Sequence, residues 1–154
     1  MKTFKDIIEE CLANVEELFP WDLSELMEQG QHPMILDVRE PYEFEIAHIK
    51  DSINVPRGIL ETACEYDYEE TVPELVRARD QEIIVVCRSG NRSVLAADTM
   101  QRMGFQSVKS LKTGLKGWNE YEQVLFDSNG SEVDIDEIEQ YFTPNLTPDQ
   151  LAPA

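Results

Sequence analysis

Residues 83–97 read IIVVCRSGNRSVLAA, and this stretch decides the fold. Four consecutive β-branched residues, Ile83–Val86, are typical of a strand that is buried on both faces. A helix with apolar periodicity begins near Asn91 or Arg92. The cysteine between them therefore lies at the carboxyl end of a strand, in a tight turn into a helix. Open α/β sheets bind their ligands at such turns.

The turn predicts an environment that favours the ionised form of the Cys87 thiol. Backbone N–H groups at the start of a helix have no intrahelical partner, and the helix dipole adds partial positive charge there. Gly90 lets the backbone curl into an anion-binding nest, and Arg88 and Arg92 add full charges. Such surroundings favour a reactive thiolate. The alternative, a small inert cysteine packed at a strand end, needs neither the glycine nor the arginines.

The spacing of the motif narrows the chemistry. Cys87 and Arg92 form a Cys-x4-Arg pattern. A thiolate in an amide nest can attack phosphorus or sulfur. The loop of cysteine phosphatases, Cys-x5-Arg, is one residue longer and has room for a tetrahedral phosphate. The shorter loop suits a single sulfur atom carried on the cysteine.

Three stretches of the chain resemble the rhodanese family of sulfurtransferases. The first is the six-residue loop CRSGNR, residues 87–92. The second is the stretch from Asp37 to Pro56, which departs from the family pattern at Ala47, where glycine is usual, and at Ser52. A position that needs a positive φ would be strained by Ala47. The third is 113–118, TGLKGW, where Thr113 replaces a glycine and Gly114 is expected to let the backbone pass close to the active loop.

The resemblance covers about residues 15–123 and implies roles for individual residues. Cys87 would be the catalytic nucleophile and would carry the persulfide, held by a cradle of loop residues. A polar network would orient that loop from beneath, without a catalytic base. The cradle consists of Arg88, Ser89, Gly90, Asn91, Arg92 and Ser93; the network consists of Asp37, Arg39, Glu43 and His48. Arg57, at the carboxyl end of another predicted strand, is either a further contact to an anionic substrate or a solvated surface arginine.

The residue pattern predicts a single-domain α/β protein. We expect a mostly parallel sheet of about five strands with helices on both faces, the rhodanese-like three-layer arrangement. The strands are expected at 15–19, 34–39, before Pro56, at 83–86 and at 106–111. Three segments are expected: an amphipathic helix packed on the domain (1–14), the rhodanese domain (15–123) and an acidic C-terminal extension (124–154), with a short helix over 134–142.

Composition limits the partners. The 13 lysines and arginines stand against 31 aspartates and glutamates, a formal net charge of -18 at pH 7. This excludes a nucleic-acid partner and binding to anionic membranes, and it gives weak support to a basic protein partner. The three cysteines show no paired spacing, and the first residues lack a signal-peptide pattern, so we expect a cytoplasmic protein. No cofactor or metal is predicted, because the acidic stretch 127–137 lacks the spacing of a calcium loop.

The predicted function is sulfur transfer from thiosulfate or a persulfide to a thiophilic acceptor, through a persulfide on Cys87. A second hypothesis is a persulfide carrier that accepts sulfur from one protein of a relay and passes it to another. A cysteine phosphatase or arsenate reductase on the same fold is a third, which the short loop disfavours. Cys64 is either a resolving thiol or, as its neighbours favour, part of a packed helix face.

Overall fold

The computed structural model describes residues 1–154. The chain forms one sheet with helices on both of its faces. The strands lie in the order β1-β5-β4-β2-β3, and every pair is parallel. This confirms the predicted α/β fold with about five strands. The strands are β1 (Glu16–Leu18), β2 (Met34–Asp37), β3 (Ile53–Asn54), β4 (Glu82–Val86) and β5 (Ser107–Leu111).

Eight α-helices connect or flank these strands. Two single 3-10 turns, at Arg57–Ile59 and Pro148–Gln150, complete the elements. The helices are α1 (Phe4–Leu12), α2 (Pro20–Glu28), α3 (Pro41–Ile46), α4 (Leu60–Ala63), α5 (Pro73–Val76), α6 (Arg92–Arg102), α7 (Gly114–Glu120) and α8 (Ile135–Phe142).

The sheet separates two hydrophobic cores. Residues of β4 alternate between them: Ile83 and Val85 face a core that α1, α4, α5 and α6 cover, while Ile84 and Val86 face a second core under α2, α7 and α8. All four side chains are fully buried. Burial of the strand on both faces, as predicted from the sequence, therefore explains the continuous run of β-branched residues.

The start of α2 differs from the prediction. Residues 22–27, DLSELM, predict a short helix that Asp22 could cap, but the helix begins at Pro20, whose fixed φ suits the first helical position. Asp22 is instead the third helical residue, and its carboxylate accepts a 2.9 Å hydrogen bond from the Phe19 amide. It stabilises the same helix end from inside the first turn.

Both terminal segments include helices that pack on the rest of the chain. The amphipathic helix α1 lies against α6, and α8 lies against α7. Asp134 caps α8 by accepting hydrogen bonds from the amides of Asp136 and Glu137. The division into segments 1–14, 15–123 and 124–154 stays a prediction. Residues 144–154 are exposed.

Candidate active site

The candidate nucleophile lies at the end of the central strand. Cys87 follows β4 directly, and α6 begins five residues later at Arg92. The intervening loop folds back over the thiol, and Cys87 is only 1% exposed. The predicted arrangement of strand, tight loop and helix is confirmed.

Two amide donors and one hydroxyl surround the Cys87 sulfur. The amide N–H groups of Gly90 and Ser93 donate to Sγ at 3.2 and 3.3 Å. The Ser93 hydroxyl lies 3.3 Å from the same sulfur. Donors that converge on one sulfur stabilise a negative charge there. The thiol is buried, but the neighbouring amides point at it, as the nest interpretation requires.

Two glycines allow the loop to close. Gly90 has a φ of 96°, and a Cβ at this position would lie 3.0 Å from the Thr113 amide nitrogen. Gly114, at φ 61°, is tighter, because its Cβ would lie 2.6 Å from the carbonyl oxygens of Cys87 and Arg88. The close approach predicted for Gly114 is therefore confirmed.

Helix α7 fixes the loop through these two carbonyls. The amide of Leu115 donates to the Cys87 oxygen at 2.9 Å, and that of Lys116 donates to the Arg88 oxygen at 3.0 Å. Both donors are first-turn amides, which have no partner within their own helix. Thr113, where the family pattern has glycine, adopts a φ of 67°, a strained value for a β-branched residue.

Arg92 is bound to α3 rather than free above the loop. Its guanidinium makes two hydrogen bonds to the Glu43 carboxylate, at 2.8 and 3.0 Å. Burial by itself raises the pKa of the Glu43 carboxyl, but hydrogen bonds from Arg92 and from the Glu40 amide outweigh it, so this pKa lies below its usual value. The hydrogen bond to Glu43 raises the pKa of Arg92.

Arg88 contacts the C-terminal extension. Its guanidinium donates to the carbonyl oxygen of Phe142 at 3.0 Å and, more weakly, to that of Tyr141 at 3.5 Å. These carbonyls end α8, where a cation is favourable. No local sequence pattern indicates this contact, which joins residues more than fifty positions apart.

Asp37 and Arg39 form a buried ion pair at the end of β2, next to β4. Both side chains are fully buried, and the Arg39 guanidinium donates to Asp37 and to the carbonyl oxygen of Ala47. Asn54, which sequence reasoning missed, donates to the carbonyls of Asp37 and Arg39 at 3.0 and 2.9 Å. Ala47 itself has an extended φ of -163°, so the strain we considered there is absent.

Two predicted residues have their polar contacts elsewhere. His48 stacks on the Phe44 ring, and its Nδ1 donates to the Phe44 carbonyl at 2.7 Å. Arg57 bonds to Glu61 and to the Thr99 hydroxyl. Neither side chain contacts the loop by a hydrogen bond, and their roles in the site remain predictions. Ser89 and Asn91 are exposed at the rim of the loop.

One hydroxyl near the sulfur was not predicted. Ser110, on β5, is fully buried, and its Oγ lies 2.7 Å from the Ser93 Oγ. The sequence offers only a weak signal for it, a polar residue between buried positions of a strand.

The other two cysteines are not at the site. Cys64 is fully buried, and burial raises the pKa of its thiol to about 11. Cys11 is half-buried on α1 and packs against the core. Burial also raises the pKa of Cys11. The packing interpretation of Cys64 therefore agrees with the structure better than that of a resolving thiol.

Comparison with known proteins settles the family. The sequence model of the family described as "Rhodanese-like domain" matches residues 20–121 of this chain. The chain belongs to the rhodanese-like domain family. Relatives of this chain include the adenylyltransferase and sulfurtransferase MOCS3 of Drosophila virilis, 36% identical over 115 residues, which covers 74% of this chain and 25% of the relative. A second is the "Putative sulfur carrier protein YrkF" of Bacillus subtilis, 38% identical over 84 residues, 54% of this chain and 40% of that one.

The solved structures include one with a different description. A Rhodopseudomonas palustris protein of unknown function, described as a possible tyrosine phosphatase, superposes with a TM-score of 0.73 at 28% identity, covering 80% of this chain and 93% of the other. The chain spans between a quarter and two fifths of the length of the two curated relatives above. No helix of the structure is both long enough and apolar enough to cross a membrane.

Proposed function

We propose that this rhodanese is a sulfurtransferase that carries a sulfane sulfur on Cys87. The observation that carries the proposal is the convergence of the Gly90 and Ser93 amides on the Cys87 sulfur. Relatives that include a sulfurtransferase and a sulfur carrier support the same chemistry. The contacts leave the sulfur with donors for a negative charge, which a thiolate and a terminal persulfide both need.

The first half-reaction forms the persulfide. The Cys87 thiolate attacks the outer sulfur of thiosulfate, a new S–S bond forms, and the old S–S bond breaks with its electron pair leaving on sulfite. The products are the ionised persulfide of Cys87 and sulfite, so charge and atoms balance. A persulfide donor reacts in the same way and expels a thiolate. The loop amides would stabilise the charge on the outer sulfur as they stabilise the thiolate.

The second half-reaction returns the enzyme to its starting state. A thiophilic nucleophile, such as cyanide or a thiolate, attacks the outer sulfur and leaves the Cys87 thiolate. In the proposed arrangement Arg88 and Arg92 supply positive charge beside an anionic donor. Their contacts with α8 and Glu43 hold both groups near the loop.

A carrier role uses the same persulfide and differs only in the partner. In this alternative a relay protein would load Cys87, and a second protein would unload it, with slow turnover of thiosulfate. The curated sulfur carrier among the relatives favours keeping this alternative. The three free cysteines fit a reducing, cytoplasmic setting, which we retain as part of the proposal.

The test is intact mass before and after incubation with thiosulfate. We expect the wild-type chain and Cys64→Ala to gain one sulfur atom that cyanide removes, and Cys87→Ala to gain none. Absence of any gain with thiosulfate and with a small-molecule persulfide would overturn the proposal. Hydrolysis of a phosphate ester that requires Cys87 would point instead to a phosphatase. Slow release to cyanide after full loading would favour the carrier.

A further inference from the structure

The hydroxyl of Ser110 lies directly behind the cradle. Ser110 sits on β5 opposite Val85 of β4, two residues before the nucleophile. Its Oγ is 2.7 Å from the Ser93 Oγ, which is 3.3 Å from the Cys87 sulfur. All three residues are buried. The Ser93 hydroxyl is the only side-chain partner of the Ser110 hydroxyl, so the three atoms form a short chain with one end at the sulfur.

The direction of the hydrogen bonds among these three atoms depends on the charge of the sulfur, because the number of protons is limited. Each hydroxyl has one proton to donate. An ionised sulfur can only accept, so Ser93 donates to it and Ser110 donates to Ser93, and every proton has a partner. If a neutral thiol donates to Ser93, then Ser93 donates to Ser110. The Ser110 proton is then left without an acceptor in a buried place, which is unfavourable.

We propose that Ser110 is a positioning residue that turns the Ser93 hydroxyl toward the Cys87 sulfur and so favours the thiolate. Ser110 does not touch the sulfur and acts through Ser93. The inference rests on the proposed function for its place in catalysis, because the thiolate is the form that attacks a sulfur donor. The ionisation itself can be measured without sulfur transfer.

The charged groups around the sulfur form a constant background. None of them makes a hydrogen bond to Ser110, so replacing this hydroxyl leaves them in place. They are Arg88 from the loop, Arg92 from α6, Glu43 from α3, the Asp37–Arg39 pair at the end of β2, and Lys112 and Lys116 beside and within α7.

The experiment follows the rate of alkylation of Cys87 by iodoacetamide as a function of pH, with the modified peptide identified by mass. In Ser110→Ala we expect the midpoint of the profile to rise by about one pH unit, so that alkylation at pH values well below the wild-type midpoint slows about tenfold. Ser107→Ala, on the same strand and without a side-chain hydrogen bond, is the matched control and keeps the wild-type midpoint. Ser110→Thr, which retains a hydroxyl, should also keep the wild-type midpoint.

A double-mutant cycle tests whether Ser110 acts through Ser93. The midpoint of Ser93→Ala/Ser110→Ala should equal that of Ser93→Ala, because without the Ser93 hydroxyl Ser110 is no longer connected to the sulfur. An unchanged midpoint in Ser110→Ala overturns the inference, and so does a shift that adds in full to that of Ser93→Ala. Sulfur loading by intact mass is measured on the same samples. If the midpoint shifts in Ser110→Ala but the protein takes up no sulfur, the proposed function is overturned, whereas the positioning role of Ser110 stands.

Discussion

At the scale of residues, Cys87 depends on hydrogen-bond donors and not on a neighbouring base. Its sulfur contacts two amides and one hydroxyl, while His48 is bonded to the backbone of its own turn. A sulfur held in this way needs its donors placed by the backbone. The backbone conformation of the loop is therefore the feature whose disturbance should matter most.

Gly114→Ala tests that dependence. The new Cβ would lie 2.6 Å from the Cys87 and Arg88 carbonyl oxygens at a φ of 61°, so the loop or α7 must move. We expect a loss of more than about 2 kcal/mol in the free energy of unfolding and roughly a hundredfold slower sulfur loading. Denaturant unfolding and timed intact mass measure the two effects.

Gly130→Ala is the matched control for backbone strain. Gly130 also has a positive φ, 77°, but a Cβ there would meet no atom within 4 Å. We expect a loss of about 1 kcal/mol from the left-handed conformation alone and an unchanged rate of loading. Equal losses in both variants would contradict the close approach of α7 to the loop.

The ion pair of Glu43 and Arg92 predicts a pH dependence of stability. The pKa of Glu43 is lowered by folding, so its contribution is present in full above the unfolded value of about 4.3 and disappears as the pH falls through the folded value. Glu43→Gln should therefore be less stable than the wild type at pH 7, and the deficit should shrink between about pH 5 and pH 3. Denaturant unfolding at several pH values measures it.

Glu45→Gln serves as the control, since Glu45 lies on the same helix and is exposed. Its stability should follow that of the wild type at each pH. A deficit for Glu43→Gln that stays constant down to pH 3 would show that the carboxylate charge does not stabilise the fold.

The central residues of the candidate site could be proposed from the sequence because they are contiguous. Cys87 and its loop stand in one motif, and a short loop between a strand and a helix indicates amides near the sulfur. Ser110 could not be predicted in the same way, because only the register of β5 against β4 brings its hydroxyl behind Ser93. The conformation of Ala47 depends likewise on its surroundings and not on its neighbours in the chain.

At the scale of elements, the C-terminal helix α8 is joined to the active loop. Arg88 donates to the last carbonyls of α8, and Phe142 is fully buried in the core beneath that helix. Burial of an aromatic ring anchors the helix, and the guanidinium then finds its acceptors at the helix end. The extension thus takes part in holding the loop.

Phe142→Ala should detach this helix. We expect a loss of about 3 kcal/mol in the free energy of unfolding, within the usual range for removing a buried aromatic ring, and slower sulfur loading as Arg88 loses its acceptors. Leu146→Ala, at an exposed position beyond the helix, should leave both quantities unchanged. A stable Phe142→Ala variant with normal loading would contradict the anchoring role of α8.

Elements were predicted well where burial leaves a strong pattern. The β-branched run of β4 and the apolar run of β2 are buried on both faces, which is the condition that produces such runs. The start of α2 was misplaced because Asp22 suits two positions of a helix terminus, and Pro20 decides between them. The helix over 134–142 was predicted, but its contact with Arg88 is a tertiary feature that no local pattern carries.

At the scale of the whole molecule, the charge opposes the proposed substrate. A net charge of -18 repels an anionic donor at long range, although Arg88 and Arg92 lie at the loop. Salt shortens the range of this field from about 30 Å at 0.01 M to about 8 Å at 0.15 M. Screening should therefore help an anion to reach the loop.

We expect the rate of sulfur loading by thiosulfate to rise severalfold over that range of ionic strength. Loading by an uncharged persulfide donor, measured under the same conditions, should change little. A rate that falls with added salt for thiosulfate alone would show that attraction by the two arginines outweighs the field of the whole chain.

The position of the proposed nucleophile at the end of β4 links its chemistry to the opening of the molecule. β4 is the middle strand, with two strands on each side and a core on either face. Backbone protons of such strands exchange with solvent last, because they are released only when the whole domain opens. A bulky thiol reagent should therefore modify Cys87 no faster than the β4 amides take up deuterium, whereas small reagents react from the folded state.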